Sequence, residues 1–204
     1  MKNYNYLATL MFAAMFSLVM SSCLGNDDEP RKQIDPIYYK HVSGSYSGFV
    51  QYLVNWETKE FKKEDGINMT VTPDSTIKIT GIPAAVFAKN IKDEKIKAAI
   101  SALPSPTLSV RFLIVDVNAN GVAMYSKPLP LEFKGVIVDG KSHDYLIRFY
   151  GPSLAGTTPD YSKFSLNAYL YSLHEDGLEK EKFIKKNNVV NENTIIFVEC
   201  QRAK

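Results

Sequence analysis

The residues suited to acid–base or metal chemistry are scattered along this sequence. The three histidines, His41, His143 and His174, are far apart, and no two have the i, i+4 spacing of a helical metal-binding pair. The sequence has no Gly-x-Ser-x-Gly elbow, no His-Glu-x-x-His motif and no phosphate-cradling loop. His143 and His174 lie in or beside expected turns, so both are expected to be exposed or edge residues. The motifs therefore predict no catalytic residue, no metal site and no cofactor.

One segment, 116–121, partly matches a calcium-binding loop. Asp116, Asn118 and Asn120 offer oxygen ligands at alternate positions, and Gly121 is the sixth residue. The twelfth position should be a bidentate glutamate, but it is Lys127, a cation. Expected strands flank the segment, so the pattern favours a hairpin turn over a calcium site.

Acidic residues provide the main route to an enzyme. A glycosidase needs two carboxyl groups that meet across one cleft. Separate carboxylates could form such a pair in the folded chain, although their spacing does not indicate one: Asp65, Glu132, Asp144 and Glu199.

A candidate binding surface lies on the expected strand 164–173. Alternation assigns one face to the core, namely Phe164, Leu166, Ala168 and Leu170. The other face then carries Asn167, Tyr169 and Tyr171 outward, beside Ser165. Flat amphipathic rings next to an amide are suited to binding sugars. The alternative is that the tyrosines simply cover a sheet, which they favour by propensity.

The N-terminus predicts export and lipid attachment. A basic start, Met1-Lys2, precedes the uncharged apolar stretch 7–20, which is too short to span a bilayer comfortably. Ser21 and Ser22 then precede Cys23, an order that resembles a bacterial lipobox. The resemblance implies cleavage before Cys23 and a membrane attachment through lipid on its thiol, which several acyl chains would make stable.

Behind Cys23 lies an acidic and polar tether. Its run Asp27-Asp28-Glu29 resembles the export signal of surface lipoproteins in the Bacteroidetes, which implies display on the outer face of the outer membrane. A passive spacer and a periplasm-facing domain remain the alternatives. We therefore divide the chain into a signal peptide (1–22), a lipidated cysteine with its tether (23–37) and one β-rich domain (38–204).

The mature domain reads as mainly β. Short alternating, β-branched and aromatic runs predict strands at 46–55, 67–72, 76–80, 108–117, 122–126, 131–138, 144–150, 164–173 and 194–201. The dipeptides Asn120-Gly121 and Asp139-Gly140 predict tight hairpin turns, and 73–75 and 175–177 predict two more turns.

In the segment 83–103 the apolar residues have the spacing of a helix rather than the alternation of a strand. Ile96, Ala99, Ile100 and Leu103 share one helical face, and Asp93 can cap the helix. A lesser helix is expected at 178–186. The predicted fold class is therefore an antiparallel sandwich or partly open barrel with one helical insert at about 83–103.

Two family resemblances bear on this fold. The lipobox, the tether, Gly44 to Gly48 and the run Thr80-Gly81-Ile82-Pro83 before the helix together resemble an uncharacterised lipoprotein family of gut Bacteroidetes, a domain of unknown function. This resemblance implies compartment and a β-rich fold but no functional residues. Separately, Gly44-Ser45-Tyr46 resembles the start of calycin barrels, where an aromatic ring plugs the barrel floor.

Composition limits the function classes. With 24 Lys and Arg against 22 Asp and Glu, the net charge is +2, so no charge field attracts nucleic acid. Only Cys23 and Cys200 occur, and Cys200 follows an apolar run that predicts a buried, inert thiol. We expect a cell-envelope lipoprotein that binds a glycan or protein at the surface without catalysis. A surface or periplasmic hydrolase with spatially paired carboxylates is the alternative.

Overall fold

The structure is a computed structural model that describes residues 34–55, 58, 60–184 and 194–203. Over these residues the helices are α1 (Ile37–Val42), α2 (Ala84–Ala88) and α3 (Glu94–Ser101). The strands are β1 (Gly44–Asn55), β2 (Glu60–Thr72), β3 (Thr76–Thr80), β4 (Leu108–Asn118), β5 (Gly121–Pro128), β6 (Leu131–Val138), β7 (Lys141–Phe149), β8 (Ser153–Thr157), β9 (Lys163–Glu175), β10 (Leu178–Lys182) and β11 (Ile195–Arg202). None of the described helices is long and apolar enough to cross a membrane.

Eight antiparallel strands form a closed barrel, in the order β1-β2-β3-β4-β5-β8-β9-β11. Two pairings close the ring. The first half of β9 pairs with β11, where Leu166 lies opposite Val198, and β11 pairs with β1, where Val50 lies opposite Val198. The mainly β prediction is confirmed, and the structure decides between its two architectures: the molecule is a barrel, and its ring is closed rather than partly open.

A second sheet grows out of the same long strand. The second half of β9 pairs with β7 on one side and β10 on the other, and β6 extends this sheet beyond β7. Its inner face carries Phe133, Tyr145, Ile147 and Leu173, all buried in the core shared with the barrel. The insert 83–103 is helical as predicted, in two pieces, and α3 packs against β6.

Local sequence accounts for most of the turns and caps. Asp139 and Gly140 both have positive φ and join β6 to β7, which confirms that hairpin. Asp176 and Gly177 join β9 to β10 in the same way. The side chain of Asp93 accepts hydrogen bonds from the N–H groups of Lys95 and Ile96, so it caps α3 as predicted.

Three local predictions need correction. The β4–β5 hairpin exists, but Asn118 pairs with Gly121, so its two-residue loop is Ala119-Asn120 rather than Asn120-Gly121. The segment 178–186 was predicted as a helix, yet 178–182 is strand β10, because the tight turn at Asp176-Gly177 leads the chain back along the unpaired edge of β9. Strand β8 was not predicted, since its small residues Ala155 and Gly156 lack a strong strand signal.

One end of the barrel, which we call the floor, is where α1 meets Tyr46 near the start of β1. The Tyr46 ring is fully buried, 5.7 Å between centroids from Phe164, and its hydroxyl donates to the Val42 carbonyl at 2.7 Å. The Arg202 guanidinium lies over the ring at 5.7 Å and donates to the carbonyls of His41 and Ser43. Helix α1 and the last strand are therefore tied together at the floor by one aromatic ring.

Candidate functional site

Strand β9 positions the predicted binding residues, and a β-bulge decides where they point. Phe149 pairs with Leu170 and Arg148 pairs with Ser172, so Tyr171 is the extra residue of the bulge. A bulge redirects side chains and interrupts the ladder. Up to Leu170 the predicted alternation holds: Phe164, Leu166, Ala168 and Leu170 are all buried. Beyond Leu170 the alternation between buried and outward residues shifts by one position, so that Leu173 lies in the core.

We use the name tyrosine face for Tyr150, Tyr169, Tyr171 and Asn167. Tyr150 follows β7, and its N–H donates to the Tyr169 carbonyl at 2.8 Å, which holds the two residues side by side. The rings of Tyr150 and Tyr171 are 6.0 Å apart with an interplanar angle of 36°. All three tyrosines are half-buried, and burial raises the pKa of the Tyr169 hydroxyl. Each ring thus keeps part of its surface open to solvent.

The tyrosine hydroxyls of the described residues fall into two groups. Five have protein partners: Tyr39, Tyr46, Tyr52, Tyr145 and Tyr161. Those of Tyr38 and Tyr125 have no partner among the described residues. Within the described ranges, the hydroxyls of Tyr150, Tyr169 and Tyr171 make no hydrogen bond. A half-buried hydroxyl without a protein partner remains available to water or a ligand.

Asn167 departs from its predicted exposure. It was expected on a wet surface, but it is only 8% exposed, and its Oδ1 is buried without a hydrogen-bond donor. It lies opposite Phe197 on β11, and Ser165 and Tyr169 flank it along β9. The face is therefore more enclosed than predicted. A buried amide oxygen without a donor is costly and is a rare feature in proteins.

A second polar cluster lies where the β6–β7 and β9–β10 hairpins meet. His143 Nδ1 is 2.8 Å from Asp176 and 3.6 Å from Glu175. Glu175 also accepts from the Tyr145 hydroxyl at 2.8 Å and from Lys180 at 2.6 Å. The Lys180 ammonium and the Tyr145 hydroxyl hold the pKa of Glu175 below its usual range, while burial and Glu175 raise the pKa of Tyr145.

This cluster escaped sequence analysis because its members are distant in sequence. His143 and Asp176 come from different hairpins and meet only because β7 pairs with β9. Among the acids named from sequence, Asp65 pairs with Lys63 and Glu132 with Lys134, both at the surface, while Asp144 accepts from the Gly135 N–H. Asp65 and Glu199 lie on the strands either side of Phe49, whereas Glu132 and Asp144 lie on the β6–β7 hairpin, so the four acids fall in two separate parts of the fold.

The remaining predicted positions have simple roles. His174 was expected to be exposed or at an edge but is buried, with its Nε2 3.2 Å from the Ser172 hydroxyl. Asn118 and Asp116 form a hydrogen bond with each other within the β4–β5 hairpin.

Burial raises the pKa of Cys200 to about 12, as expected of an inert thiol. Cys23 lies outside the described residues. In the part of the chain that the structure covers, no cluster of three or more His, Cys, Asp or Glu side chains could hold a metal.

Comparison with known proteins adds a family. The family model DUF4840, a domain of unknown function, matches residues 41–174. The chain belongs to the DUF4840 family. The DUF4840 match runs from α1 through nearly all of β9, so it includes Tyr150, Tyr169, Tyr171 and His143 but ends before β11, which closes the barrel. No curated protein and no solved structure matches the chain.

Tyr150 is the site residue that sequence analysis did not single out. The strand 144–150 was predicted, so Tyr150 was placed at a strand end without a partner. Its proximity to Tyr171 depends on the β7–β9 pairing and on the bulge, and no local pattern reports either of these.

Proposed function

We propose that this chain is an exported lipoprotein held in the outer membrane through lipid on Cys23 and displayed at the cell surface. The leader, the lipobox-like order before Cys23 and the acidic run Asp27-Asp28-Glu29 support this proposal, as does the resemblance to lipoproteins of gut Bacteroidetes.

Two substitutions test the anchor and its orientation. Cys23→Ser should move the mature protein out of the membrane fraction, and continued detergent-dependent sedimentation would reject lipid attachment. Replacing Asp27, Asp28 and Glu29 with alanine should protect the domain from protease added to intact cells. Equal protease access for this variant and the wild type would reject the acidic run as a surface signal.

We propose further that the domain binds a neutral glycan through the tyrosine face and does not turn it over. The observation that carries this proposal is the set of hydroxyls on Tyr150, Tyr169 and Tyr171 that have no partner among the described residues, on half-buried rings of which two lie 6.0 Å apart. Sugar rings present apolar C–H faces that stack on aromatic rings, and their hydroxyls can exchange hydrogen bonds with tyrosine hydroxyls. Ser165, Asn167 and Tyr169 carry no charge, which suits a neutral ligand, and Glu199 lies opposite Ser165 on β11 at the end of this run.

Calorimetric titration of the full chain in detergent tests this proposal. The probes are cellohexaose, mannohexaose and chitohexaose, and we expect at least one of them to bind. Tyr169→Ala combined with Tyr171→Ala should weaken that binding at least tenfold. Tyr38→Ala is the matched control, since Tyr38 is another half-buried tyrosine but packs beside His41 at the floor.

The outcomes are distinct. If the wild type binds none of the three probes, glycan binding is rejected. If the double variant does not fold, the two rings belong to the core, and Tyr150→Ala then serves as the milder test of the same face. If the double variant and Tyr38→Ala lose equal amounts of glycan affinity, the tyrosine face has no specific role in glycan binding.

A hydrolase is the second candidate, and the favouring observation is the pair of carboxylates, Glu175 and Asp176, around His143. A glycosidase acid must carry a proton at neutral pH, which requires a raised pKa. Here Lys180 and Tyr145 lower the pKa of Glu175, and the Asp144 N–H and His143 lower that of Asp176. We therefore expect no release of shorter sugars from the three probes. Hydrolysis that is lost in Glu175→Gln would establish the enzyme instead.

A further inference from the structure

An apolar row crosses the outside of the barrel next to the tyrosine face. Leu113 on β4 pairs with Tyr125 on β5, and Tyr125 pairs with Leu154 on β8. Neighbouring residues on these strands are buried, so the three side chains point outward. Leu113 is 58% exposed and Tyr125 is 38% exposed, while Leu154 is half-buried. We call these three residues the Leu113 row.

The Leu113 row leads directly to the tyrosine face. Ala155 pairs with Leu166 between β8 and β9, so the preceding residue, Leu154, lies level with Asn167. Asn167 in turn lies opposite Phe197 on β11. From Leu113 to Asn167 the row crosses three strand spacings of about 4.8 Å, or roughly 14 Å in total. This length exceeds that of a single sugar ring.

We infer that the Leu113 row and the tyrosine face form one continuous binding surface for a neutral oligosaccharide chain that lies across the strands. This inference rests on the proposed glycan-binding function and extends it to the length and direction of the ligand. The tyrosine face holds one end of the chain through the half-buried rings of Tyr150, Tyr169 and Tyr171. The Leu113 row supports the following units by apolar contact.

Hydrogen-bonding chemistry favours a sugar chain over an apolar partner on this surface. The Tyr125 hydroxyl, like those of Tyr150, Tyr169 and Tyr171, makes no hydrogen bond within the described residues. A wholly apolar partner would bury these hydroxyls without satisfying them, which is unfavourable. A hydroxyl-rich chain satisfies them and still covers the ring faces.

A length series tests the inference with the full chain and the hexasaccharide that binds best of the three probes. The di-, tri-, tetra- and hexasaccharides of the same sugar are titrated. For the wild type we expect affinity to rise at least tenfold from the disaccharide to the tetrasaccharide. Leu113→Ser combined with Tyr125→Ser should abolish this gain and leave disaccharide affinity within twofold.

Ile137→Ser is the control variant, because Ile137 is an equally exposed apolar residue (61%) on β6, away from the row. Ile137→Ser should leave the affinities for all four oligosaccharides unchanged. Affinity that is independent of length, or an unchanged length dependence in the double variant, would overturn the inference while the proposed function stands. Failure of every probe to bind the wild type would reject the proposed function itself. Dimerisation of the wild type that the double variant abolishes would show that the row is a contact between two copies, which would also overturn the inference.

Discussion

Tyrosine hydroxyls have two different roles in this barrel, and Tyr46 represents the structural one. Its hydroxyl satisfies the buried Val42 carbonyl at 2.7 Å. Tyr46→Phe removes the donor and leaves that carbonyl unsatisfied, so we expect a loss of about 1–3 kcal/mol in the free energy of unfolding. Tyr125→Phe removes a hydroxyl that has no partner among the described residues and should change stability by less than about 0.5 kcal/mol. Urea unfolding of both variants checks the difference, and equal losses would contradict it.

Lys89 is a partly buried amine that links three parts of the fold. It follows α2, and its ammonium donates to the carbonyls of Leu53 at 3.2 Å and Ile195 at 3.3 Å. Burial lowers the pKa of Lys89 from 10.5 to about 8. Between these two values the unfolded chain keeps the proton and the folded chain loses it. The contribution of Lys89 to the free energy of unfolding therefore increases as the pH rises from about 8 towards 10.5.

Lys89→Met removes this titration. We expect the free energy of unfolding of the wild type, relative to that of Lys89→Met, to increase between pH 7.5 and pH 9.5 by an amount on the order of 1–2 kcal/mol. Lys78→Met is the control, because Lys78 is exposed on β3 and should not alter the pH dependence. A constant difference between wild type and Lys89→Met across this range would show that the Lys89 amine titrates normally.

At the scale of the element, α3 owes its position to one apolar side. Ile96 and Ile100 are buried, and Ala99 and Leu103 pack beside them. Ile100→Asp would place an unpaired charge in the core and should cost about 4 kcal/mol or more. Ala98→Asp changes the exposed side of the same helix and should cost less than about 1 kcal/mol. Thermal unfolding measures both, and equal melting temperatures would contradict this orientation of the helix.

At the scale of the whole molecule, barrel closure depends on a glycine. Gly48 lies opposite Cys200 where β1 meets β11, and a Cβ at Gly48 would lie 2.0 Å from the Glu199 carbonyl oxygen. Because that obstacle is backbone, the strands must separate to admit a side chain. Gly48→Ala should therefore cost about 3 kcal/mol or more and weaken the β1–β11 hydrogen bonds.

Hydrogen exchange provides the measurement for this prediction. The amides of β1 and β11 should exchange faster in Gly48→Ala, whereas those of the β6–β7 hairpin should change less. Ser47→Ala, at the exposed neighbouring position, is the control and should alter stability by less than about 0.5 kcal/mol. Unchanged protection of β11 would show that the closing pair tolerates the added methyl group.

The features that sequence analysis predicted correctly are those governed by short-range interactions. The Asp93 cap, the apolar side of α3 and the Asp139-Gly140 turn depend on neighbours within a few residues. Alternation in β9 held up to Leu170 because a strand with one buried face must repeat every two residues. The leader, the lipobox-like order before Cys23 and the acidic tether are likewise local patterns, and the predictions drawn from them stay predictions.

The pairing of strands that are distant in sequence determined the features that sequence analysis did not predict. Closure of the barrel needs β11 to meet β1 across most of the chain, and no local pattern encodes a partner at that separation. The bulge at Tyr171, which brings Tyr150 beside it, arises from the mismatch between β7 and β9 and not from the residues of β9 alone. The segment 178–182 has a helical composition, yet it forms a strand because the free edge of β9 offers hydrogen bonds that outweigh a weak helix propensity. Sequence thus determined which residues could face a ligand, and the pairing of distant strands determined which of them share a surface.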